Sequence, residues 1–224
     1  MYKITFICPG YNEELNLLKL FKRIINIKRS LNIAVQTIFI NDASSDGTKK
    51  KLNNLRNRFS FETINNKKNL GFGASFFKGL TASKGQYVML LPAEDVYTTK
   101  SLKKFISNGI NNEATMSIYS NTYMRHPLRR LITFLISVFF NTCFRLNIKQ
   151  YTGPFLYKRK NLKNFKINSK KFAFQIEIIL KLMKKKVPLK YEYLSIKKKS
   201  GFLSSAISLN SLVDLVKMLF CLKK

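Results

Sequence analysis

Apolar and polar positions fall into alternating blocks along the first half of the chain. Lys3–Cys8 (KITFIC) is an almost unbroken apolar run and predicts a buried strand. Glu13–Ile27 repeats Leu15, Leu18, Phe21, Ile24 and Ile25 at helical spacing. Ala34–Ile40 (AVQTIFI) predicts a second strand, followed by the turn-like NDASSDG and a helix over Thr48–Phe59. Phe61–Ile64 predicts a short strand, Gly73–Ala82 a small-residue helix and Gln86–Leu91 a fourth strand. A helix over Thr99–Ile110 and a strand over Thr115–Ser120 complete this half. Strands alternating with helices at this spacing imply crossover units and a mainly parallel sheet. In such a sheet, ligands bind beyond the carboxyl ends of the strands.

After residue 120 the pattern changes. Pro127–Leu146 predicts an apolar helix with basic flanks, Tyr151–Tyr157 a strand and Lys171–Lys186 a helix with a lysine-rich end. Val187–Ile196 reads as extended and Ser208–Lys223 as a final amphipathic helix. No repeat or long linker divides the chain. The expected organisation is one domain over 1–224, in two halves of different pattern, 1–120 and 121–224.

Composition adds a strong basic bias. The 224 residues include 41 Lys+Arg against 11 Asp+Glu, a net charge of +30, and the excess is greater in the second half. Such a field favours an anionic partner: nucleic acid, a phospholipid surface or a phosphorylated substrate. The aromatic residues fall mostly at core spacing rather than among basic clusters, which makes nucleic acid the least favoured of the three. Cys8, Cys143 and Cys221 are far apart and odd in number, which fits a reducing compartment. The first strand runs directly into motif residues, with no leader-like segment. The run Leu131–Phe144 contains four polar residues and is short of the ~20 apolar residues that span a bilayer. The expected location is cytoplasmic, peripheral to the inner face of the membrane.

The scarce acids are unevenly placed. Glu13, Glu14, Asp42, Asp46, Glu94 and Asp95 all lie just past the ends of the first, second and fourth strands. Those ends meet along one edge of a parallel sheet, so the acids are candidates for holding a cation, a sugar or a base edge. Glu14 and Asp46 also suit helix capping and the helix dipole.

Three stretches resemble family 2 glycosyltransferases. Cys8-Pro9-Gly10-Tyr11-Asn12-Glu13-Glu14 resembles the family's P-x-Y-N-E entry, and Asn41-Asp42-Ala43-Ser44-Ser45-Asp46-Gly47-Thr48 its D-D-G-S-x-D-G-T turn. Asn69-Leu70-Gly71-Phe72-Gly73-Ala74, continuing to Gly79, Ala82 and Gly85-Gln86-Tyr87, resembles its N-x-G-x-G-A stretch. The later part is similar to the branch that contains dolichyl-phosphate mannosyltransferase and bacterial polyprenyl-phosphate glycosyltransferases, through Tyr151–Phe155, Phe172–Glu177 and Lys198–Gly201 with Ser204.

The resemblance implies a GT-A (nucleotide-diphospho-sugar transferase) fold, α/β with a mainly parallel sheet, flanking helices and basic C-terminal helices. It implies inverting transfer of a sugar from a nucleotide-diphosphate donor. Pro9, Tyr11, Asn12, Glu13, Asp42, Asn69, Gly71 and Gly73 would line the nucleotide pocket. The family's D-x-D metal motif reads Pro92-Ala93-Glu94-Asp95 here. Proline cannot coordinate, so Glu94 and Asp95 are the expected catalytic ligands of Mg2+ or Mn2+, with sugar-hydroxyl binding or a catalytically degenerate site as competing readings. Glu177 is expected as a catalytic residue, a base or a lysine's partner.

Transfer to a hydroxyl usually needs a general base, and the second half is poor in acids. A phosphate acceptor needs charge neutralisation instead, which Arg125, Arg129, Arg130, Lys158, Arg159 and Lys197–Lys199 could supply. The expected partners are therefore a nucleotide-diphosphate sugar, a polyprenyl-phosphate lipid and an anionic membrane surface. A glycan hydroxyl in cell-envelope polysaccharide synthesis is the alternative acceptor, and helix 131–144 leaves a homodimer open.

Overall fold

In the computed structural model, the described residues are 1–94, 96–165, 167–169 and 173–197. Asp95, the expected helix Ser208–Lys223 and the Lys198–Gly201 stretch with Ser204 lie outside them.

The strands are β1 (Ile4–Gly10), β2 (Val35–Asn41), β3 (Glu62–Asn65), β4 (Tyr87–Leu90), β5 (Ala114–Tyr119), β6 (Phe155–Lys158) and β7 (Leu189–Leu194). The helices are α1 (Leu17–Leu31), α2 (Thr48–Leu55), α3 (Phe72–Ala82), α4 (Thr99–Gly109), α5 (Pro127–Phe144) and α6 (Phe174–Lys184). They build one seven-stranded sheet in the order β3-β2-β1-β4-β6-β5-β7. β1 pairs in parallel with β2 (Ile4↔Val35) and β4 (Ile4↔Tyr87), and β2 with β3 (Ile38↔Glu62). β6 runs antiparallel to β4 and β5, and β5 pairs in parallel with β7.

Every residue of β1 is buried, which is why it reads as a continuous apolar run. Its side chains alternate between two cores. Ile4, Phe6 and Cys8 join Phe39, Met89 and the α1, α2 and α4 residues Leu17, Leu20, Leu52 and Phe105. Ile7 joins Ile38, Ile40, Val88, Leu90 and the α3, α5 and α6 residues Phe76, Phe140 and Ile176. Helices therefore cover both faces of the sheet. Gly79 permits close packing of α3 on it, since a Cβ there would collide with Ile7.

Pro9 sits inside this central strand without breaking it. The Gly10 carbonyl accepts from Asp42 N on the β2 side, and the Ile7 carbonyl accepts from Leu91 N on the β4 side. By alternation the nitrogen of Pro9 faces β4, which has already ended at Leu90.

Some boundaries differ from the sequence reading. α1 begins at Leu17 and not at Glu13: the preceding residues form a turn in which Asn16 N and Leu17 N both donate to the Glu13 carbonyl, while Glu13 N donates to Thr48 Oγ1 (2.8 Å) and Glu14 N to Asp46 Oδ2 (3.3 Å). Of the expected strand Tyr151–Tyr157, residues 151–154 are loop: Gly153 has φ +133°, and the Tyr151 ring is buried 5.6 Å from Phe140. α2 ends at Leu55, short of Phe59, and α6 begins at Phe174.

Candidate active site

The loops that follow β1, β2 and β4 lie along one edge of the sheet, with β1 between the other two. The first two loops clasp each other. Asn12 takes a left-handed conformation (φ 57°), which asparagine tolerates, and its Oδ1 accepts Ser45 N (2.9 Å) and Asp46 N (3.4 Å). Its own N–H donates to Ser44 Oγ (3.0 Å). Gly47 N donates to Glu14 Oε2 (3.1 Å), and a Cβ at Gly47 would strike that carboxylate. Thr48 N donates to Asp46 Oδ1 (2.9 Å); burial, the largest single effect, pushes the Asp46 carboxyl up, but the Thr48 hydroxyl and the backbone N–H groups of Thr48, Glu14 and Asp46 together outweigh it and hold the carboxyl below its ordinary range. Glu14, Asp46 and Asn12 are thus bound into the loops. Glu13 is half-buried, accepting from Asn16 Nδ2 (2.7 Å). Tyr11 projects from the clasp, 48% exposed.

Asp42 is buried just past β2. Oδ1 accepts Asn66 Nδ2 (2.6 Å) and Leu70 N (2.9 Å), and Oδ2 accepts Gly71 N (2.9 Å). Three of a carboxylate's roughly four acceptor positions are occupied within the protein. Asp42 therefore fixes the start of α3. Gly71 has φ 91°, a conformation that side-chain-bearing residues rarely adopt, so its glycine is required by the backbone itself. Gly73 is buried at the first turn of α3, and Asn69 is exposed on the loop before it. Asn41 stands where the family has an aspartate and caps the turn, its Oδ1 accepting Ser44 N (3.1 Å).

Past β4, Pro92 and Glu94 are half-buried and Ala93 is buried. Among the described residues no group of three His, Cys, Asp or Glu could hold a metal ion. Pro92 supplies no ligand oxygen, leaving Glu94 as the described carboxylate at this strand end. That donor set is no protein cage. It suits only an ion held mainly by donor phosphates and water, as Mg2+ often is.

Glu177 is bonded to the loop before α6. It is fully buried in the first turn of α6, accepting Asn168 N (3.1 Å) and Ser169 N (3.0 Å) and pairing with Lys181 Nζ (2.9 Å). Its carboxylate anchors the 167–169 loop. The start of α6 does approach the rim, with Phe174 6.2 Å from Phe72 and 5.4 Å from Phe76 on α3.

Beyond β4 and β5 lies a cationic group that the sequence reading found only in part. The Tyr97 and Tyr119 rings stack at 6.5 Å, and the Arg125 guanidinium lies 5.0 Å over Tyr119. Burial lowers the Arg125 pKa, and neighbouring Arg129 lowers it further. Arg23 of α1 is buried behind, and burial together with its charge lowers the Lys197 pKa. Arg23, Tyr97 and Tyr119 were missed. A charged residue within the apolar stripe Leu20, Phe21, Ile24 and Ile27 was the available signal for Arg23.

An α/β sheet with these loops at its carboxyl edge has solved counterparts. Glucosyl-3-phosphoglycerate synthase from Mycobacterium tuberculosis, in complex with Mn2+, UDP-glucose and phosphoglyceric acid, superposes with a TM-score of 0.71 at 14% identity, over 97% of this chain and 79% of that one. The same enzyme with Mg2+ and UDP gives 0.68 at 12% identity, over 98% and 79%. The fold is the GT-A glycosyltransferase fold.

Sequence narrows the class. The profile of Glycosyl transferase family 2 matches residues 5–176, and the chain belongs to that family. It is 28% identical over 118 residues to dolichol-phosphate mannosyltransferase of Pyrococcus furiosus, covering 53% of this chain and 33% of that protein. It is 29% identical over 101 residues to abequosyltransferase RfbV of Salmonella typhimurium, covering 44% and 30%. The match spans about a third of the length of these curated relatives.

Proposed function

We propose that the chain transfers a sugar, with inversion, from a nucleotide-diphosphate donor to a lipid-phosphate acceptor of the polyprenyl-phosphate type, at the inner face of the membrane. One observation supports the acceptor class above others. Beyond β4 and β5, Arg125 and Lys197 gather with Arg23 around two tyrosines, while Glu177, the carboxylate of α6, is buried and hydrogen-bonded. A hydroxyl acceptor would need a base there, whereas a phosphate is already an anion and needs positive charge and orientation.

In this reading a phosphate oxygen of the acceptor attacks the anomeric carbon, and the bond from that carbon to the donor diphosphate breaks. Tyr11 and the clasp around Asn12 and Glu13 bound the nucleotide site. Asp42 shapes its floor by holding Leu70 and Gly71, and offers its remaining acceptor position to a base N–H. Glu94, with Asp95, would hold Mg2+ or Mn2+ against the donor phosphates, where the ion would neutralise charge on the leaving diphosphate. Mn2+ or Mg2+ accompanies UDP in the solved structural counterparts. Glu177 acts as a positioning residue for the 167–169 loop. Arg125 and Arg129 would receive the acceptor phosphate.

The test is turnover of UDP-, GDP- and dTDP-sugars with polyprenyl phosphate and, separately, with a soluble glycan acceptor. Transfer to the lipid phosphate that falls with chelator and with Glu94→Gln is expected. Transfer to the glycan alone overturns the acceptor. Full activity in both chelator and Glu94→Gln overturns the metal role. Donor binding without any transfer marks a degenerate relative.

A further inference from the structure

We infer that α5 is an interfacial helix that lays its outer face on a bilayer bearing anionic headgroups. The helix has 18 residues, about 27 Å of length, and is long and apolar enough by composition to cross a membrane. Its packing favours lying flat. At 100° per residue, Leu128, Leu131, Phe134, Leu135, Val138 and Phe139 share one stripe, and all six are exposed, Phe134 by 63% and Leu135 by 55%. The opposite side is fastened to the domain. Phe140 is fully buried, and Asn141 exchanges hydrogen bonds with both the N–H and the carbonyl of Ile148 (3.0 Å each) while accepting Tyr151 OH (2.9 Å). A helix whose last turns are fastened to the domain in this way cannot also run through a bilayer without the domain following.

The polar residues of α5 are already provided for. Thr133 Oγ1 donates to the Arg129 carbonyl (2.8 Å) and Ser137 Oγ to the Thr133 carbonyl (3.0 Å), so neither hydroxyl needs water. Arg129 and Arg130 open the helix and Arg145 closes it, flanking the apolar stripe with cations. That arrangement is the one that seats a helix among lipid headgroups.

Charge decides the occupant. Residues 114–176 contain no Asp or Glu, and the whole chain carries +30. A second copy on this face would set arginine against arginine with no acid between them, whereas anionic lipid supplies the missing sign. The inference goes beyond the proposed transfer reaction and needs no donor or acceptor, so vesicles lacking polyprenyl phosphate test it alone.

The chain contains no tryptophan, so Phe134→Trp places a single reporter on the stripe. Full-length protein is mixed with phosphatidylcholine vesicles and with vesicles also containing phosphatidylglycerol. The expected result is binding to the anionic vesicles, blue-shifted emission quenched by brominated lipid, and at least about tenfold weaker binding of Phe134→Ser/Phe139→Ser. The double variant should remain folded, with the circular dichroism of the wild type, because the Phe134 ring is 63% exposed and Phe139 touches the domain through its edge contact with Phe140. Failure of the wild type to bind, unchanged binding of the double variant, or an unquenched reporter overturns the proposal. So does a dimer in sedimentation velocity, without lipid, that the double variant splits.

Discussion

Asp42 Oδ2 accepts the backbone N–H of Gly71 at 2.9 Å, joining the end of β2 to the start of α3 across 29 residues of sequence. The two positions belong to separate motifs, and this bond makes them one surface. Replacing Asp42 with Asn sets an amide N–H2 against N–H donors that now meet a carboxylate. Asp42→Asn should lose about 2 kcal/mol or more of stability and weaken nucleotide binding. Chemical denaturation and calorimetric titration of UDP and GDP measure the two effects. An unchanged midpoint would show that the 66–71 loop is held by something else.

Ala43 occupies φ 60°, where the family motif has glycine. The left-handed conformation costs a residue with a Cβ about 1 kcal/mol relative to glycine. Ala43→Gly should therefore stabilise the fold by about that amount, or about 2–4 °C in Tm for a chain of this size. Differential scanning calorimetry detects this, and a fall in Tm would contradict it.

Glu177 separates two tasks by two readouts. As a loop anchor, Glu177→Gln should lower stability by about 2 kcal/mol, because the Lys181 ion pair and the charged acceptor of Asn168 and Ser169 are lost together. The kcat against pH profile of the folded variant should keep its shape. Loss of the acidic limb with no loss of stability would make Glu177 a base.

Glu113 sets a pH window. Hydrogen bonds from Lys158 (2.5 Å) and Asn161 (3.1 Å) lower its pKa from 4.5 to about 2. A depressed carboxylate stabilises the fold fully above its unfolded pKa and loses that contribution as pH falls toward the folded value. Stability should drop between about pH 4.5 and 2, and Glu113→Gln should flatten that part of the curve, as followed by denaturant titration at each pH.

The sheet was legible because β1, β2 and β4 are buried on both faces, so their apolar runs need no partner information to be read. The loops after them were legible as a rim because the strand order places their ends together. What escaped depended on distant contacts. Glu13 and Glu14 read as the first turn of a helix, and only the fold brings Thr48 and Asp46 up to accept their N–H groups. Tyr151 has strand propensity, yet it is buried beneath Phe140. Glu177 looks available until the 167–169 loop closes on it. The Arg125–Tyr119 contact folds the turn between β5 and α5 back onto the end of β5, which no local periodicity describes.

β6 is the strand through which the carboxyl-terminal half enters the sheet, wedged antiparallel between β4 and β5. Its backbone ties the strand that leads to Glu94 to the strand that leads to Tyr119. A chain cut near residue 120 would leave β4 as a bare edge, open to non-native pairing and aggregation. The segments that follow β4 and β5 are thus tied together by one ribbon, and a donor site on the first and an acceptor site on the second, as proposed, could not be carried off as portable modules.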